Sequence, residues 1–256
     1  MPSWNIHTAH VERLLADTPP SDLGIGDANA FLFANYIPDI YVGYMVPDAT
    51  MHIDYRITHV TPAYMIPIPD ADKFWDNYML RFRPPTAAET SLLLGAWAHL
   101  TTDRIYNGRF RNHCVEYGRE ADEGLRVRKQ GDFSLFGRSL GISAHVQATP
   151  ELLEAAWKFR PYRILADDVH RAIAAADAIV AGNPGPTEHA KSDYQEIDAA
   201  WMTSVFEACN ERLRTWLLTW QELEARGEDI HAAEIRVAAG IPPATPDDPE
   251  WLRKVG

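Results

Sequence analysis

The fold class that the sequence predicts is all-α, in a single domain. Apolar residues recur at the three- and four-residue spacing of helices in one segment after another, and several of these segments open with capping residues. No series of alternating polar and apolar residues indicates strands, and no internal repeat is visible. A chain of 256 residues with 46% hydrophobic content is long enough for one large core. We therefore expect one helical domain over residues 1–256.

The first part of the chain predicts short helices and then a long irregular segment. A helix is expected over 8–16, where two prolines follow and end it. Asp27 can cap a second helix over 28–35, which ends before Pro38. Residues 38–70 combine several prolines with aromatic residues and indicate an irregular but ordered loop. Long loops in compact domains often carry function.

Longer helices are expected after this loop. A helix follows Asp70, and Thr86 with Glu89 is typical of a capping box that opens a helix running past Asp103. Another helix is expected to begin at Asp132. Further helices are predicted over 149–158, 167–181 and about 192–226, the last of which carries three tryptophans.

Composition and charge narrow the classes of partner. Lys and Arg total 24 against 36 Asp and Glu, which gives a net charge of −12. Such a surface repels phosphate backbones and anionic lipid headgroups, so neither nucleic acid nor stable membrane association is expected. Cys114 and Cys209 form no CxxC motif, which is typical of reduced, buried thiols. Because no leader pattern and no long apolar stretch occur, the expected location is the cytoplasm.

The stretch 95–103 (GAWAHLTTD) places His99 and Asp103 four residues apart inside an apolar helix. Residues at this spacing share one helical face, so both side chains can reach one ion. A buried carboxylate is costly unless a cation or hydrogen-bond donors satisfy it, and the pair therefore indicates a metal site. A hydrogen bond between two core residues is the alternative interpretation.

Three further residues complete a candidate ligand shell. His7 lies near the start of the first helix, Asp39 lies at the end of the second, and His59 lies in the proline-rich loop. A helical core can build a zinc site from one nitrogen or oxygen of each of several separated segments. His10 and His52 are the alternatives to His7 and His59. Each residue taken alone is more typical of a helix cap, a turn or the surface.

The order of these motifs resembles the zinc-dependent phospholipase C family and its bacterial relatives. The motifs are His7 followed by VERLL (11–15), IPDI (37–40), Thr58-His59 and LGAWAHLTTD (94–103). The similarity covers roughly residues 1–140. It implies a multi-helix bundle of the phospholipase C / P1 nuclease type, in which up to three zinc ions hydrolyse phosphoester bonds. Residues 1–140 would hold the metal-site core, and 141–256 would add further helices.

The resemblance also implies roles for individual residues. By motif match, Asp39, His59, His99 and Asp103 would share the first metal ion. Asp103 would bridge toward a second ion, to which His7 would belong. The general base of the family corresponds to Asp39, which would orient the attacking water or accept its proton.

The chain departs from the family pattern at several positions. The family binds zinc with the amino group of an N-terminal Trp, whereas Trp4 follows three other residues, so this ligand is expected to be missing. The family also carries a His after the helix Asp and then a His-x-x-x-Glu pair, which has no counterpart here. His113 and Asp132 are the replacements that the sequence offers. With the acidic charge, these departures argue against a lipid substrate.

Arginines close to the motif are candidates for binding a phosphate group. Arg104, Arg109 and Arg111 follow Asp103, and a guanidinium can bind phosphate in a bidentate manner. A solvated side chain is the alternative for each. The first hypothesis is therefore a zinc-dependent phosphoesterase for a small soluble phosphoester, with one to three zinc ions or another divalent metal.

Two other functions compete with this hypothesis. An HD-type metal phosphohydrolase is also all-α, but the sequence contains no His-Asp dipeptide. A helical binding or assembly protein, with a structural metal or none, is the alternative from a different class. The Trp-rich helix over 192–226 would then supply an interaction surface, and the C-terminal helices could form a homo-oligomer.

Overall fold

Helices account for the regular structure of the chain. The computed structural model describes residues 2–62, 65–80, 85–183, 185–186, 189–227 and 230–241, and within these ranges it contains helices and no strand. The predicted all-α class is confirmed. The α-helices are α1 (Trp4–Asp17), α2 (Ala28–Ala34), α3 (Ile37–Ile40), α4 (Tyr55–Thr58), α5 (Ala71–Trp75), α6 (Ala87–Glu116), α7 (Glu123–Ser139), α8 (Pro150–Trp157), α9 (Ala166–Ala181), α10 (Ala199–Glu224) and α11 (Ala232–Ala238). Two 3-10 turns (Pro20–Leu23 and Lys191–Asp193) and a π-helical turn (Asp76–Leu80) lie between them.

Side-chain caps begin several of these helices at the predicted residues. Asp27 accepts a hydrogen bond from the backbone N–H of Ala30 at the start of α2. Thr86 caps α6 and Thr149 caps α8 in the same way. Each cap satisfies a backbone donor that has no partner within the first turn of its helix.

The first helix is longer than predicted, and the proline-rich segment is more regular. α1 begins at Trp4, so His7 lies inside the helix rather than ahead of it. The segment 38–70 contains α4 and most of α3, where Pro38 occupies the first turn of the helix and its missing N–H has no consequence. The prediction of a wholly irregular loop is therefore wrong.

Two later helices begin at other residues than predicted. α7 begins at Glu123, well before Asp132, because the Asp122 carboxylate accepts from the N–H of Leu125 and caps the helix there. α10 begins at Ala199, because a separate 3-10 turn and its own cap precede it. The residues predicted to be helical just ahead of position 199 therefore do not belong to the long helix.

α6 runs through the interior and packs closely against α2. Its residues from Ala96 to Asp103 are all buried. A Cβ atom at Gly95 would lie 2.3 Å from the Phe31 carbonyl oxygen and 2.6 Å from the Ala34 side chain. Glycine is therefore required where these two helices meet. The close contact holds the end of α2 beside His99.

Both halves of the chain contribute to one hydrophobic core. Trp75 of α5, Trp97 of α6, and Trp216 and Trp220 of α10 form a cluster with ring centroids 5.2 to 5.6 Å apart. These four indoles are buried, so two of the three tryptophans of α10 belong to the interior. Over the described ranges, no helix combines the length and the apolar character that a membrane span needs.

Candidate metal centre

Five polar side chains from four segments meet inside the core. His7 comes from α1, Asp39 from α3, His59 from the end of α4, and His99 and Asp103 from consecutive turns of α6. Each residue is at most 2% exposed. Their nitrogen and oxygen atoms form two groups that could hold a metal ion, one of His7, His99 and Asp103 and one of Asp39, His59 and His99. The structure therefore brings the five principal candidates together.

Two imidazole nitrogens of this cluster lie at ligand-like distances from each other and from the carboxylates. His59 Nε2 lies 3.3 Å from His99 Nε2, 3.5 Å from Asp39 Oδ1 and 3.5 Å from Asp103 Oδ2. His99 Nε2 lies 3.6 Å from Asp103 Oδ2 and 3.9 Å from Asp39 Oδ2. Four ligands at about 2.1 Å from a zinc ion would lie about 3.4 Å from one another. The two imidazole nitrogens therefore lie about as far from each other and from the carboxylate oxygens as the ligands of one zinc ion do.

Hydrogen bonds behind the two imidazoles direct their lone pairs into this space. His99 Nδ1 lies 2.7 Å from the carbonyl oxygen of Asn35, which only accepts, so Nδ1 carries the proton. His59 Nδ1 lies 2.8 Å from Thr58 Oγ1, which donates its own proton to the carbonyl of Tyr55 at 3.3 Å. The two Nε2 atoms then face each other as acceptors. They repel each other unless a metal ion or a proton lies between them.

A second set of ligand atoms lies on the other side of Asp103. Its Oδ1 is 3.4 Å from His7 Nε2, whereas its Oδ2 faces His59 and His99. The His7 ring stacks on the His99 ring with centroids 4.0 Å apart. Among the described residues, neither nitrogen of His7 and neither oxygen of Asp103 has a hydrogen-bond partner. A carboxylate whose two oxygens face two different groups of ligand atoms has the geometry that can bridge two ions.

The Asp39 carboxylate is oriented by an indole. Trp4 Nε1 donates a hydrogen bond to Asp39 Oδ2 at 2.9 Å. Asp39 Oδ1 faces His59 and has no hydrogen-bond partner within the described ranges. Outer groups of this kind fix the direction of a metal ligand. Trp4 therefore contributes to the site through its side chain.

Burial and mutual charge set the protonation of the cluster. Burial by itself raises the pKa of Asp103, but the charge of His99 and the contact with His7 outweigh it and hold that pKa well below its usual value. The pKa of Asp39 is also lowered, because contacts with His59 and His99 overcome burial. Burial lowers the pKa of His7 to about 4, and the charge of His99 adds to the effect. Burial also lowers the pKa of His99, but Asp103 and Asp39 raise it to above its usual value. Two ionised carboxylates thus share a dry interior, which is costly without a cation beside them.

The segment around His59 is strained and carries a tyrosine over the site. Val60 has a φ of +49°, in the left-handed region that a β-branched residue rarely adopts. The Tyr55 ring stacks on the His59 ring with centroids 3.8 Å apart. Its hydroxyl is buried without a hydrogen-bond partner in the part of the chain that the structure describes. His59 is therefore held by its surroundings at the expense of local backbone strain.

Sequence reasoning missed the groups that stand behind the ligands. The sequence indicates a role for Thr58 only through its position next to His59. It indicates one for Trp4 only through its position near the start of the chain. The Asn35 carbonyl had none, because every residue carries one. Tyr55 also had no distinguishing signal, since aromatic residues are common in this loop.

The alternative histidines lie elsewhere. His10 Nδ1 is 3.0 Å from Asn210 Oδ1 and its Nε2 is 3.1 Å from Tyr106 Oη, so both nitrogens are already engaged. His52 is exposed and belongs to neither group of ligand atoms. The structure thus favours His7 and His59 over His10 and His52.

The two replacement ligands, His113 and Asp132, do not reach the cluster. His113 is half-buried and packs beside Phe110 and Tyr117 on the outer part of α6. The two Asp132 oxygens accept hydrogen bonds at 2.8 to 3.0 Å from three backbone N–H groups, those of residues 195–197. That set of donors satisfies the carboxylate, which fixes the approach to α10 instead of binding an ion.

The three candidate phosphate ligands also have other environments. Arg111 is buried, and its Nε donates to the carbonyl of Ile66 at 2.8 Å. Arg104 donates to the carbonyl of Pro69 at 3.4 Å. Arg109 is exposed on the outer face of α6. The structure therefore engages Arg104 and Arg111 with the proline-containing segment 66–70, and it gives no support to a phosphate site at these three arginines.

Comparisons with known proteins supply no family for this chain. No protein-family model matches it, and neither the curated proteins nor the solved structures compared with it give a match. The resemblance to the phospholipase C family therefore stays a prediction from motifs, and the buried His/Asp groups that could hold a metal ion are the functional feature that the structure adds.

Proposed function

We propose that this chain is a zinc-dependent hydrolase that cleaves phosphoester bonds of a small soluble substrate. The observation that carries the proposal is the meeting of Asp39, His59, His99 and Asp103, in which the two imidazole Nε2 atoms lie 3.3 Å from each other and 3.5 to 3.9 Å from carboxylate oxygens. Imidazole and carboxylate are the ligands of hydrolytic zinc sites, although other first-row metals accept them as well.

Two centres are assigned to the five side chains. The first is held by Asp39, His59, His99 and Asp103, and the second by His7 with the other oxygen of Asp103. The second centre has few protein ligands and leaves positions for water and substrate, as catalytic zinc does.

The residues of the chain then have separate tasks. When bound, zinc supplies a water with a pKa of about 7 and stabilises the charge on phosphoryl oxygens. Asp39 Oδ1 is assigned as the group that orients the attacking water or takes its proton, while Trp4 holds the other oxygen in place. Asn35 and Thr58 keep the two imidazoles in the tautomer whose Nε2 can bind an ion.

A small soluble substrate is proposed because of the charge of the chain. At a net −12, the surface repels polyanions and anionic lipid surfaces, whereas one phosphoester group is repelled much less. We therefore propose a phosphomonoester or phosphodiester of low mass rather than a nucleic acid or a phospholipid.

Elemental analysis of purified protein tests this function together with a hydrolysis assay. We expect one or two zinc ions per chain, and hydrolysis of bis(p-nitrophenyl) phosphate that a chelator abolishes and added zinc restores. Asp103→Asn is expected to lose both metal and activity. His145→Ala is the matched control, because this exposed imidazole pairs with Asp177 on the surface. Undiminished metal in both Asp103→Asn and His99→Ala would exclude the proposed centre.

A structural metal is the second candidate function, and burial favours it. The five side chains are at most 2% exposed, so an ion among them would tie α1, α3, α4 and α6 together. Asp39→Asn distinguishes the two functions. A hydrolase has activity in the wild type and loses it in this variant, whereas a purely structural centre has no activity to lose and its variant shows only a loss of stability.

A further inference from the structure

An open groove of about 600 Å³ lies at the end of α8, outside the metal centre. Tyr78 and Glu89 line one side of it, and the segment 157–163 lines the other. That segment reads WKFRPYR, so it holds three cations and three aromatic residues within seven positions of an acidic chain. Glu89 is the one carboxylate among the described residues that line the groove.

The cations of the groove differ in their surroundings. Lys158 Nζ lies 2.6 Å from Glu154 and 3.7 Å from Glu89, so its charge is balanced. Arg163 lies with its guanidinium carbon 4.9 Å from the centre of the Trp157 ring. Arg160 is exposed beside it in the same segment. Among the described residues that line the groove, three cations stand against one carboxylate, an excess of positive charge that the chain as a whole does not have.

The aromatic surface of the groove is accessible. Trp157 is 48% exposed, whereas the tryptophans of the core cluster are buried. An exposed indole beside a guanidinium offers a face on which a second ring can stack.

The groove also reaches the helix that carries Asp39. Tyr162 lines the groove, and its hydroxyl donates to the carbonyl of Ile37 at 3.1 Å. Ile37 is the first residue of α3, two positions before Asp39. The floor of the groove is therefore built against the same short helix as the metal centre.

We propose that this groove binds an aromatic phosphate, with the ring against Trp157 and the phosphate against Arg160 and Arg163. Arginine pairs with phosphate in a bidentate manner, and the indole accommodates an aryl group. If the bound aromatic phosphate is the substrate of the hydrolase, that part of the inference rests on the proposed function. Binding itself does not require the metal centre, and so the two can fail separately.

Calorimetric titration of the chelated, metal-free protein with phenyl phosphate tests the inference. Inorganic phosphate and phenol are the comparison ligands, because each retains one half of the probe. Phenyl phosphate is expected to bind at least tenfold more tightly than either. The double variant Arg160→Gln/Arg163→Gln is expected to weaken binding about tenfold or more, and Trp157→Ala by a similar factor.

Arg214→Gln is the matched control for the arginine variants. The side chain of this residue is 40% exposed and lies on α10, where it pairs with Glu211. It is expected to retain wild-type affinity and an unchanged melting temperature. No binding of phenyl phosphate to the wild type at millimolar concentration would overturn the inference, and so would equal affinity in the wild type and a folded Arg160→Gln/Arg163→Gln variant. Either result leaves zinc-dependent hydrolysis to be judged by its own assay.

Discussion

The hydroxyl of Thr58 lies 2.8 Å from Nδ1 of His59 and donates its own proton to a backbone carbonyl. Because the hydroxyl can then only accept, the imidazole must donate from Nδ1 and present Nε2 to the cluster. The Asn35 carbonyl has the same effect on His99. At the residue scale, the orientation of the two imidazoles therefore depends on acceptors that lie behind the candidate ligands.

Thr58→Val tests this dependence, because it removes the hydroxyl and keeps the shape of the side chain. We expect the affinity for zinc to fall by about 10- to 100-fold, since His59 loses the acceptor that fixes its tautomer. Competition with a chromophoric chelator measures the affinity. Thr58→Ser restores the hydroxyl and is expected to return the affinity to near the wild-type value. Equal affinity in Thr58→Val and the wild type would contradict the assignment.

The ligands were predictable from the sequence to the extent that they follow local geometry. His99 and Asp103 share a helical face at a fixed spacing, so their meeting follows from the helix alone. His113 lies beyond them on the same helix, but the structure places it on the outer part of α6. The Asp132 carboxylate accepts from backbone N–H groups that lie 63 to 65 residues further along the chain. No local sequence pattern encodes such contacts, so the sequence could not show that this carboxylate is already satisfied.

At the scale of elements, α6 carries a buried polar stripe that continues beyond the metal centre. His99, Asp103, Asn107 and Arg111 recur every four residues, and all four are at most 5% exposed. Asn107 donates to the carbonyl of Pro67 at 2.8 Å, and Arg111 donates to the carbonyl of Ile66. The proline-containing segment is thereby fixed across α6, and this segment follows His59 in the chain.

Gly95→Ala tests how far the site depends on the contact between α2 and α6. The added Cβ would meet the Phe31 carbonyl at 2.3 Å, so the helices must separate. We expect the free energy of unfolding to fall by about 1–3 kcal/mol. Zinc affinity should fall with it, since Asn35 follows α2 and holds His99. Urea denaturation and chelator competition measure the two effects.

Gly131→Ala is the control for this substitution. It is an exposed glycine within α7, and a Cβ atom added there would have no neighbour closer than 4.0 Å. Replacing glycine by alanine in an open helical position is expected to stabilise the protein by about 0.5–1 kcal/mol and to leave zinc binding unchanged. If Gly95→Ala behaves like this control, the close contact has no bearing on the site.

At the scale of the whole molecule, burial lowers the pKa of three histidines that are at most 1% exposed, His7, His10 and His59. The all-α class was predictable from periodicity, but the pairing of His10 with Asn210, 200 residues away, was not, because it arises only when α1 packs on α10. Burial lowers the pKa of His10 to about 3 and that of His7 to about 4. In the unfolded chain both would titrate near pH 6.5.

This difference sets the pH dependence of the metal-free protein. Between the folded and unfolded pKa values the unfolded state binds more protons than the native state, so stability is lost as the pH falls below about 6.5. The raised pKa of His99 acts only above that value, and the lowered pKa values of Asp39 and Asp103 act only near and below the usual carboxyl range. The interval from about pH 6 to about pH 5 therefore reports the buried neutral histidines.

Urea denaturation of the chelated protein at the two ends of this interval tests the prediction. Each of His7 and His10 is expected to lower the free energy of unfolding by about 1 kcal/mol as the pH falls from about 6 to about 5. His10→Gln should remove about half of their joint effect, because glutamine does not titrate. An unfolding free energy that stays the same at both pH values would mean that His7 and His10 are not held neutral in the core.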